Sequence, residues 1–522
     1  VENKKQVSSL RILKLCFASL VVVVKKNTMR EIMLISLLQL INFATLTSSQ
    51  YNPHFFSNRS GIVHLFEYKF NDIAAECETY LSRHGFGGVQ VSPITENAIV
   101  PKRPWFERYQ PISYNIITRS GNENDFRRMV NRCNAVGVRI YVDIVANHMA
   151  AGNGFVNGTG GGTAFIPDKY YPVVPYNETH FHQSCAINDY NNAFEVRNCE
   201  LVGLPDLDQS IEYVRDRIVN FMNKLIDIGV AGFRMDASKH MWPSDLSVIY
   251  GRLKNLSASF APGSKPFIYQ EVIDLGGEAV KKTEYISMGA VTEFKFSLEI
   301  SRAFRGHNEL KWLKSWGPVW NMLPPKCALV FVDNHDNQRG NGAGGSEILT
   351  YRFPKMYKMA VAFMLAHPYG IPRIMSSYAF DLSDQGPPAD PTTENIISPK
   401  FSPNGTCTNG WVCEHRWLEI AGMIGFRNNV HGEPLVNWFD NDNNMIAFCR
   451  GNKGFVAFNN EQNVAVVTMN TCLTRGDYCD VISGKKLGRN CTGRKISVNE
   501  KGKSLIRLNA HTMVAIHSGA KL

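Results

Sequence analysis

Four short apolar runs in this chain give way abruptly to acidic side chains. They read GVRIYVDIVANHM (Gly137 to Met149), GVAGFRMDASKH (Gly229 to His240), KPFIYQEVID (Lys265 to Asp274) and ALVFVDNHDNQRG (Ala328 to Gly340). Each is rich in β-branched or aromatic residues, the pattern of a strand buried on both faces in a parallel sheet. The polar turn that follows puts Asp143, Asp236, Glu271 and Asp336 at strand C-terminal ends. In a (β/α)8 barrel those ends converge on one rim, where catalytic groups sit. A carboxylate at a buried strand tip is costly unless it is paired or used. One such tip reads as a structural ion pair; four on one rim do not. The chemistry that most needs clustered carboxylates is hydrolysis of a glycosidic bond.

The elements that must position them alternate after residue 50 at the spacing of βα units. Eight strands are expected, at Ile62–Glu67, Phe86–Ser92, Val138–Asp143, Val230–Asp236, Phe267–Glu271, Ala290–Phe296, Ala328–Asp333 and Ile371–Met375. Amphipathic stretches lie between most of them, including Asn124–Val136, Ile211–Ile228 and Lys355–Leu365. Strands three and four are separated by a Gly/Asn/Pro-rich excursion, Ala150 to Pro205. A loop of that length is functional or a small domain. Past about residue 434 the helical pattern stops, and MIAFCRG, GFVAFNN and VAVVTMN suggest antiparallel strands. The expected class is therefore α/β. A (β/α)8 barrel spans 51–146 and 208–433, a loop-rich insertion 147–207, and an antiparallel β-sandwich domain 434–522.

The 522 residues are 44% hydrophobic and 20% charged, ordinary for a soluble globular protein. The net charge of +10 misleads, because residues 1–49 hold seven Lys/Arg against two Asp/Glu, leaving +5 for the rest. That is too little to imply a nucleic-acid partner, and no basic stripe appears. Met29 is the first methionine and is followed by Arg30 and IMLISLLQLINFATL. Met29 to Ser49 reads as a cleaved secretory signal, and residues 1–28 as a leader or untranslated extension. The apolar run is short for a membrane span of about 20 residues, and no later segment could cross a bilayer.

Twelve cysteines accord with export. Neighbours in sequence suggest pairing of Cys185 with Cys199, Cys407 with Cys413 and Cys479 with Cys491, leaving Cys77 with Cys133 and Cys449 with Cys472. Spacing alone leaves the connectivity open. With Cys16 set aside in the leader, Cys327 is left over and reads as a buried core thiol. Sequons at Asn58, Asn157, Asn177, Asn255, Asn404 and Asn490 fit a secreted surface.

The runs GFRMDASKH, FIYQEVID, FVDNHDNQRGNGAGG, RIYVDIVANH, MLAHPYGIPRIMSSY and WVCEHRW resemble the animal-type, chloride-dependent α-amylases, from about Tyr51 to Leu522. The resemblance implies Asp236 as nucleophile, Glu271 as general acid/base and Asp336 as a third carboxylate that holds sugar hydroxyls. Such a pair works by retention when the two carboxyl groups stand about 5–5.5 Å apart. His148 and His335 are expected to contact the same sugar, and Asp143 to touch it or to orient its neighbours. Trp105, Phe106 and Tyr109 in RPWFERYQP, with Tyr190, are expected to stack on glucose units from a loop. Lys239 and Ile273 fall on the leaving-group side, and GNGAGG (Gly340 to Gly345) resembles a mobile closing loop.

Two ions follow from the same resemblance. Arg234, Asn334 and Arg373 match the ligands of a chloride. Two buried guanidiniums with no partner would demand an anion, the plain alternative being an Arg–carboxylate pair. Asn147, Asp206, His240 through its backbone oxygen, and the backbone carbonyl of Arg197 match a structural Ca2+ site, whose hard oxygen donors suit that ion. Ala150 stands where many relatives carry a cysteine, so one familiar disulfide is expected to be absent. The function implied is a secreted, monomeric endo-hydrolase of α-1,4-glucans, acting on starch, glycogen and maltooligosaccharides. An exo-acting α-glucosidase and a non-catalytic sugar-binding relative are the rivals.

Overall fold

The computed structural model describes residues 50–522. The leader and signal readings lie outside them. Eight strands close into one parallel barrel in simple sequence order: β1 (Ser60–Leu65), β2 (Phe86–Val91), β3 (Arg139–Ile144), β4 (Gly232–Met235), β5 (Phe267–Gln270), β6 (Ala290–Thr292), β7 (Ala328–Val330) and β8 (Ile371–Ser376). Nearly every strand residue is buried, because side chains alternate between the barrel interior and the surrounding helices. Gly232 is required where β4 meets β5, since a Cβ there would lie 2.2 Å from the carbonyl oxygen of Phe267.

Strand four is shorter than the sequence suggests, and strands six and seven reach at most half the expected length. Strand six stops at Thr292, and Phe294 already opens helix Phe294–Arg305, with Glu293 capping it by accepting from the Lys295 N–H. Strand seven stops at Val330, so Asn334, His335 and Asp336 stand on the loop above it. The amphipathic stretches form helices α1 (Glu123–Ala135), α2 (Glu212–Ile228) and α3 (Pro354–Ala366). A capping box between Asn122 and Asp125 starts α1, Gly229 in the left-handed region ends α2, and a proline opens α3.

The excursion between β3 and β4 is stitched to the barrel at both ends. The Leu207 N–H donates to the Asn147 carbonyl at 2.9 Å and the Met149 N–H to that of Pro205 at 3.1 Å. Inside it lie a hairpin, Phe155–Asn157 against Thr163–Phe165, and the Cys185–Cys199 disulfide. Beyond the barrel, strands β9 (Leu435–Asp440), β10 (Met445–Arg450), β11 (Gly454–Asn459) and β14 (Thr512–His517) form an antiparallel sheet. Strand β12 (Ala465–Asn470) pairs with β13 (Lys503–Leu508) as a second layer. One face of the larger sheet packs Met445, Cys449 and Val514 against Met469, Ile506 and Leu508. The other sets Phe448 and Phe458 against Phe363 of α3, at ring separations of 6.0 and 6.1 Å. The pairs Cys77–Cys133, Cys407–Cys413, Cys449–Cys472 and Cys479–Cys491 are also bonded, and Cys327 is buried outside these disulfides.

Candidate active site

Strand register assembles the acids. Asp143 on β3 pairs with Arg234 on β4, so both side chains point to the same side of the sheet, and Asp236 follows Arg234 by the two-residue period. Arg234, only 1% exposed, becomes the hub. Its Nη1 donates to Asp143 Oδ1 at 2.6 Å and to Asp236 Oδ1 at 2.8 Å, while Nη2 donates to Glu271 Oε1 at 2.5 Å. The Ala237 N–H reaches the other oxygen of Glu271, Oε2, at 2.9 Å. Asp336 stands nearby without touching Arg234.

Burial raises the carboxyls of Asp236 and Asp143 above their ordinary range; Arg234 opposes this, and Glu271 adds to it. Asp336 is pushed up to about 7 by burial and then by Glu271, with Arg234 and Arg339 pulling back. Burial works against the charge of Arg234, and Asp143, Glu271 and Asp236 together more than offset it. Asp143, Asp236 and Asp336 are all raised and disfavour one another's charge, so their protons belong to the group rather than to single residues.

Aromatic and imidazole rings wall the site. The Tyr109 hydroxyl donates to Asp143 Oδ2 at 3.0 Å, and its ring stacks on His335 with centroids 5.1 Å apart. His335 Nε2 lies 3.2 Å from Asp336 Oδ2, while His148 Nε2 bonds the Tyr109 carbonyl at 2.9 Å. Both imidazoles are held neutral by burial, that of His148 being lowered to about 4. Trp105 packs edge-on to Tyr109 and to His335, with Phe106 beyond it. These aromatics do not stand on an open loop. Trp105–Tyr109 is one turn of 3-10 helix, and its charges are buried in ion pairs, Arg108 with Glu67 and Glu107 with Arg103.

Tyr190, 39% exposed, lies apart from that wall, against Lys239, whose Nζ is 4.9 Å from its ring centre. Lys239 also donates to the Ile273 carbonyl at 2.9 Å and pairs with Glu278. Glu278 was not singled out from the sequence; a carboxylate on a glycine-rich loop carries no pattern. The GNGAGG turn borders both Ile273 and Asp336, since a Cβ on Gly342 would meet their side chains at 3.5 and 3.6 Å.

The anion argument holds for one arginine, not two. Arg234 is the ion-paired alternative, satisfied by carboxylates. Arg373 is different. Its Nη1 donates to Gln90 Oε1 at 2.9 Å, while Nη2 is buried with no hydrogen-bond partner among the described residues. That orphaned donor fits an anion. Asn334 Oδ1 accepts from the N–H groups of Asp336 and Asn337 at 3.1 and 2.7 Å, which fixes the loop beside it. Gln90, on β2, is a second residue that the sequence did not mark.

The oxygen donors also fit a cation. Among the described residues Asn147 Oδ1 and Asp206 Oδ1 are both buried without a hydrogen-bond partner. Burial pushes Asp206 up to about 7, and His182, bonded to its other oxygen at 2.7 Å, pulls back. The Arg197 and His240 segments meet where His240 Nδ1 bonds the Val196 carbonyl at 2.8 Å. Among the described residues no group of three or more His, Cys, Asp or Glu could hold a metal. A cation here would therefore rest on one carboxylate plus amide and carbonyl oxygens.

Comparison with known proteins places this geometry. Residues 75–265 match the family model "Alpha amylase, catalytic domain", and residues 436–519 match "Alpha amylase, C-terminal all-beta domain". The alpha-amylase-related proteins of Drosophila jambulina and Drosophila simulans are each 54% identical to the chain, over 92% of it and 97% of their own length. A glutamate-to-glutamine mutant of alpha-amylase I from Eisenia fetida, solved with maltohexaose, superposes with a TM-score of 0.85 at 45% identity, covering 89% of this chain and 98% of that one. The chain belongs to the animal-type alpha-amylases, a family of glycoside hydrolases.

Proposed function

We propose that this protein hydrolyses internal α-1,4-glucosidic bonds of starch and glycogen by double displacement with retention. The observation that carries the reading is the grip of one guanidinium on three carboxyl groups, Arg234 holding Asp143, Asp236 and Glu271 at the barrel mouth. Asp236 and Glu271 share that guanidinium, one bonded to each of its terminal nitrogens; a covalent route calls for carboxyl groups about 5–5.5 Å apart. Glu271 gives its proton to the glycosidic oxygen as that bond breaks, and Asp236 Oδ bonds the anomeric carbon. Water then attacks the same carbon, Glu271 takes its proton, and Asp236 leaves as the carboxylate. Direct contact with Arg234 favours the anion of Asp236 against the burial that raises its proton affinity. Asp336, with His335 behind it, is suited to hold sugar hydroxyls as the ring flattens.

A chloride beside Arg373 would neutralise cationic charge that otherwise favours ionised carboxyls, so the acid keeps its proton at working pH. A Ca2+ held by Asn147, Asp206 and the carbonyls of Arg197 and His240 would tie the excursion to the barrel. Five disulfides, with no helix among the described residues long and apolar enough to cross a membrane, accord with secretion.

Digestion of soluble starch tests the reading. Rapid loss of iodine staining with mixed maltooligosaccharides is expected, and Glu271→Gln should lose it by several orders of magnitude. Glucose as sole product would mean exo action, and an active Glu271→Gln would end the mechanism.

A further inference from the structure

Ala237 stands between Asp236 and the turn Ser238–His240, with φ +48° and ψ +30°. An alanine in the left-handed region costs roughly 1–2 kcal/mol, and it has no polar side chain to compensate locally. Such strain persists only where surrounding structure over-determines it, and it concentrates at functional sites. Here the surroundings are visible. The Asp236 N–H is tied to the Ile144 carbonyl at 3.0 Å, the His240 N–H to the Ala237 carbonyl at 2.9 Å, and the Lys239 N–H to the Glu271 carbonyl at 3.1 Å. The Ser238 hydroxyl closes the turn on the Met235 carbonyl at 2.9 Å. The turn thus spans from the tip of β3 to the tip of β5, and the twisted residue delivers one product, an N–H aimed at Glu271 Oε2 from 2.9 Å.

We infer that the left-handed backbone of Ala237 is a positioning device for Glu271, fixing the orientation of its carboxyl group and stabilising the anion it becomes. This rests on the reading of Glu271 as the acid/base. Arg234 holds Oε1 and the Ala237 amide holds Oε2, so the carboxyl plane is set from two sides. Both donors favour the charged form, the state Glu271 reaches after protonating the leaving oxygen and before taking a proton from water. The amide therefore lowers the cost of the first proton transfer and poises the base for the second. A backbone N–H does this where a side chain would crowd the sugar.

The test replaces Ala237 by L-lactate, an amide-to-ester change that deletes the N–H and leaves the side chain intact. The kcat should fall about tenfold to a hundredfold, the scale of a hydrogen bond to a charged group. The alkaline limb of the kcat/KM profile should move up by about one pH unit, because the carboxyl then holds its proton longer. Ala237→Gly keeps the N–H and relieves the strain, so its alkaline limb should coincide with that of the native enzyme. Should the ester variant fail to fold by near-UV circular dichroism, Ala237→Val, whose β-branched side chain resists this backbone, should show the same upward shift. An unmoved alkaline limb in the folded ester or valine variant overturns the inference. If Glu271→Gln is inactive in the same assay, the acid/base reading survives that failure.

Discussion

Arg373 and Gln90 are joined by one 2.9 Å hydrogen bond across the barrel interior, Nη1 donating to Oε1, and among the described residues no atom accepts from the other terminal nitrogen of the arginine. Burial lowers the proton affinity of this guanidinium, and the charge of Arg234 lowers it further. A buried cation in that position is stabilised by a small anion.

Removal of chloride by exchange into a nitrate-free acetate buffer should therefore lower kcat on starch by about tenfold or more. It should also move the alkaline limb to lower pH, since unneutralised guanidinium charge favours ionised carboxyls. Arg373→Gln should abolish the halide dependence while leaving a folded protein. A native enzyme indifferent to halide would remove the anion from the account.

The unpartnered Asn147 Oδ1 and Asp206 Oδ1 make a matching case for a cation. Chelation should lower the melting temperature of the native protein by a few degrees, because a ligand at a hundredfold its Kd adds about 2.7 kcal/mol to the folded state. Asp206→Asn should melt at one temperature with or without Ca2+, and its excursion should be the first segment cut by protease. Equal calcium response in native and variant proteins would place the ion elsewhere.

Tyr109 separates ring from hydroxyl in its role. Its ring stacks on His335, and its hydroxyl donates to Asp143. Tyr109→Phe keeps the first contact and loses the second, freeing Asp143 to shift against Arg234. A fall in kcat of about tenfold with KM within about twofold is expected, from the loss of one bond to a charged group. A change confined to KM would mean the hydroxyl serves substrate binding alone.

The barrel was legible because parallel strands buried on both faces read as short, largely apolar runs at the spacing of βα units, although a run can outlast its strand: β7 stops at Val330, before Phe331 and Val332. The acids were legible for the same reason, at the tips of those runs. What joins them was not. Arg234 reads as a partnerless cation until the β3–β4 register sets Asp143 beside it. Gln90 is one amide in FGGVQV, and only closure of β2, β1 and β8 into one wall brings it to Arg373. The Trp105–Tyr109 turn looks solvent-facing because nothing in its charges shows that they are buried in ion pairs, Glu107 with nearby Arg103 and Arg108 with distant Glu67. Ala237 is invisible in sequence, since nothing in an alanine foretells a positive φ.

Glu414 gives a test of stability rather than catalysis. It is fully buried, its Oε2 accepts from the Ser377 N–H at 2.6 Å, and its Oε1 has no partner. Burial pushes it up to about 7, against a value near 4.3 in an unfolded chain. Between those limits the native state binds the extra proton, so this group makes stability fall as pH rises from about 4.5 to 7, and costs nothing further above that. Glu414→Gln keeps an acceptor for Ser377 and does not titrate. Its melting temperature should match the native one near pH 4.5 and exceed it progressively up to pH 7, by an amount corresponding to at most on the order of 3 kcal/mol. The neighbouring buried Asp333, itself raised by burial and by Glu414, should titrate more easily once that charge is gone. Parallel melting curves for the two proteins across this range would show that Glu414 does not hold its proton in the folded state.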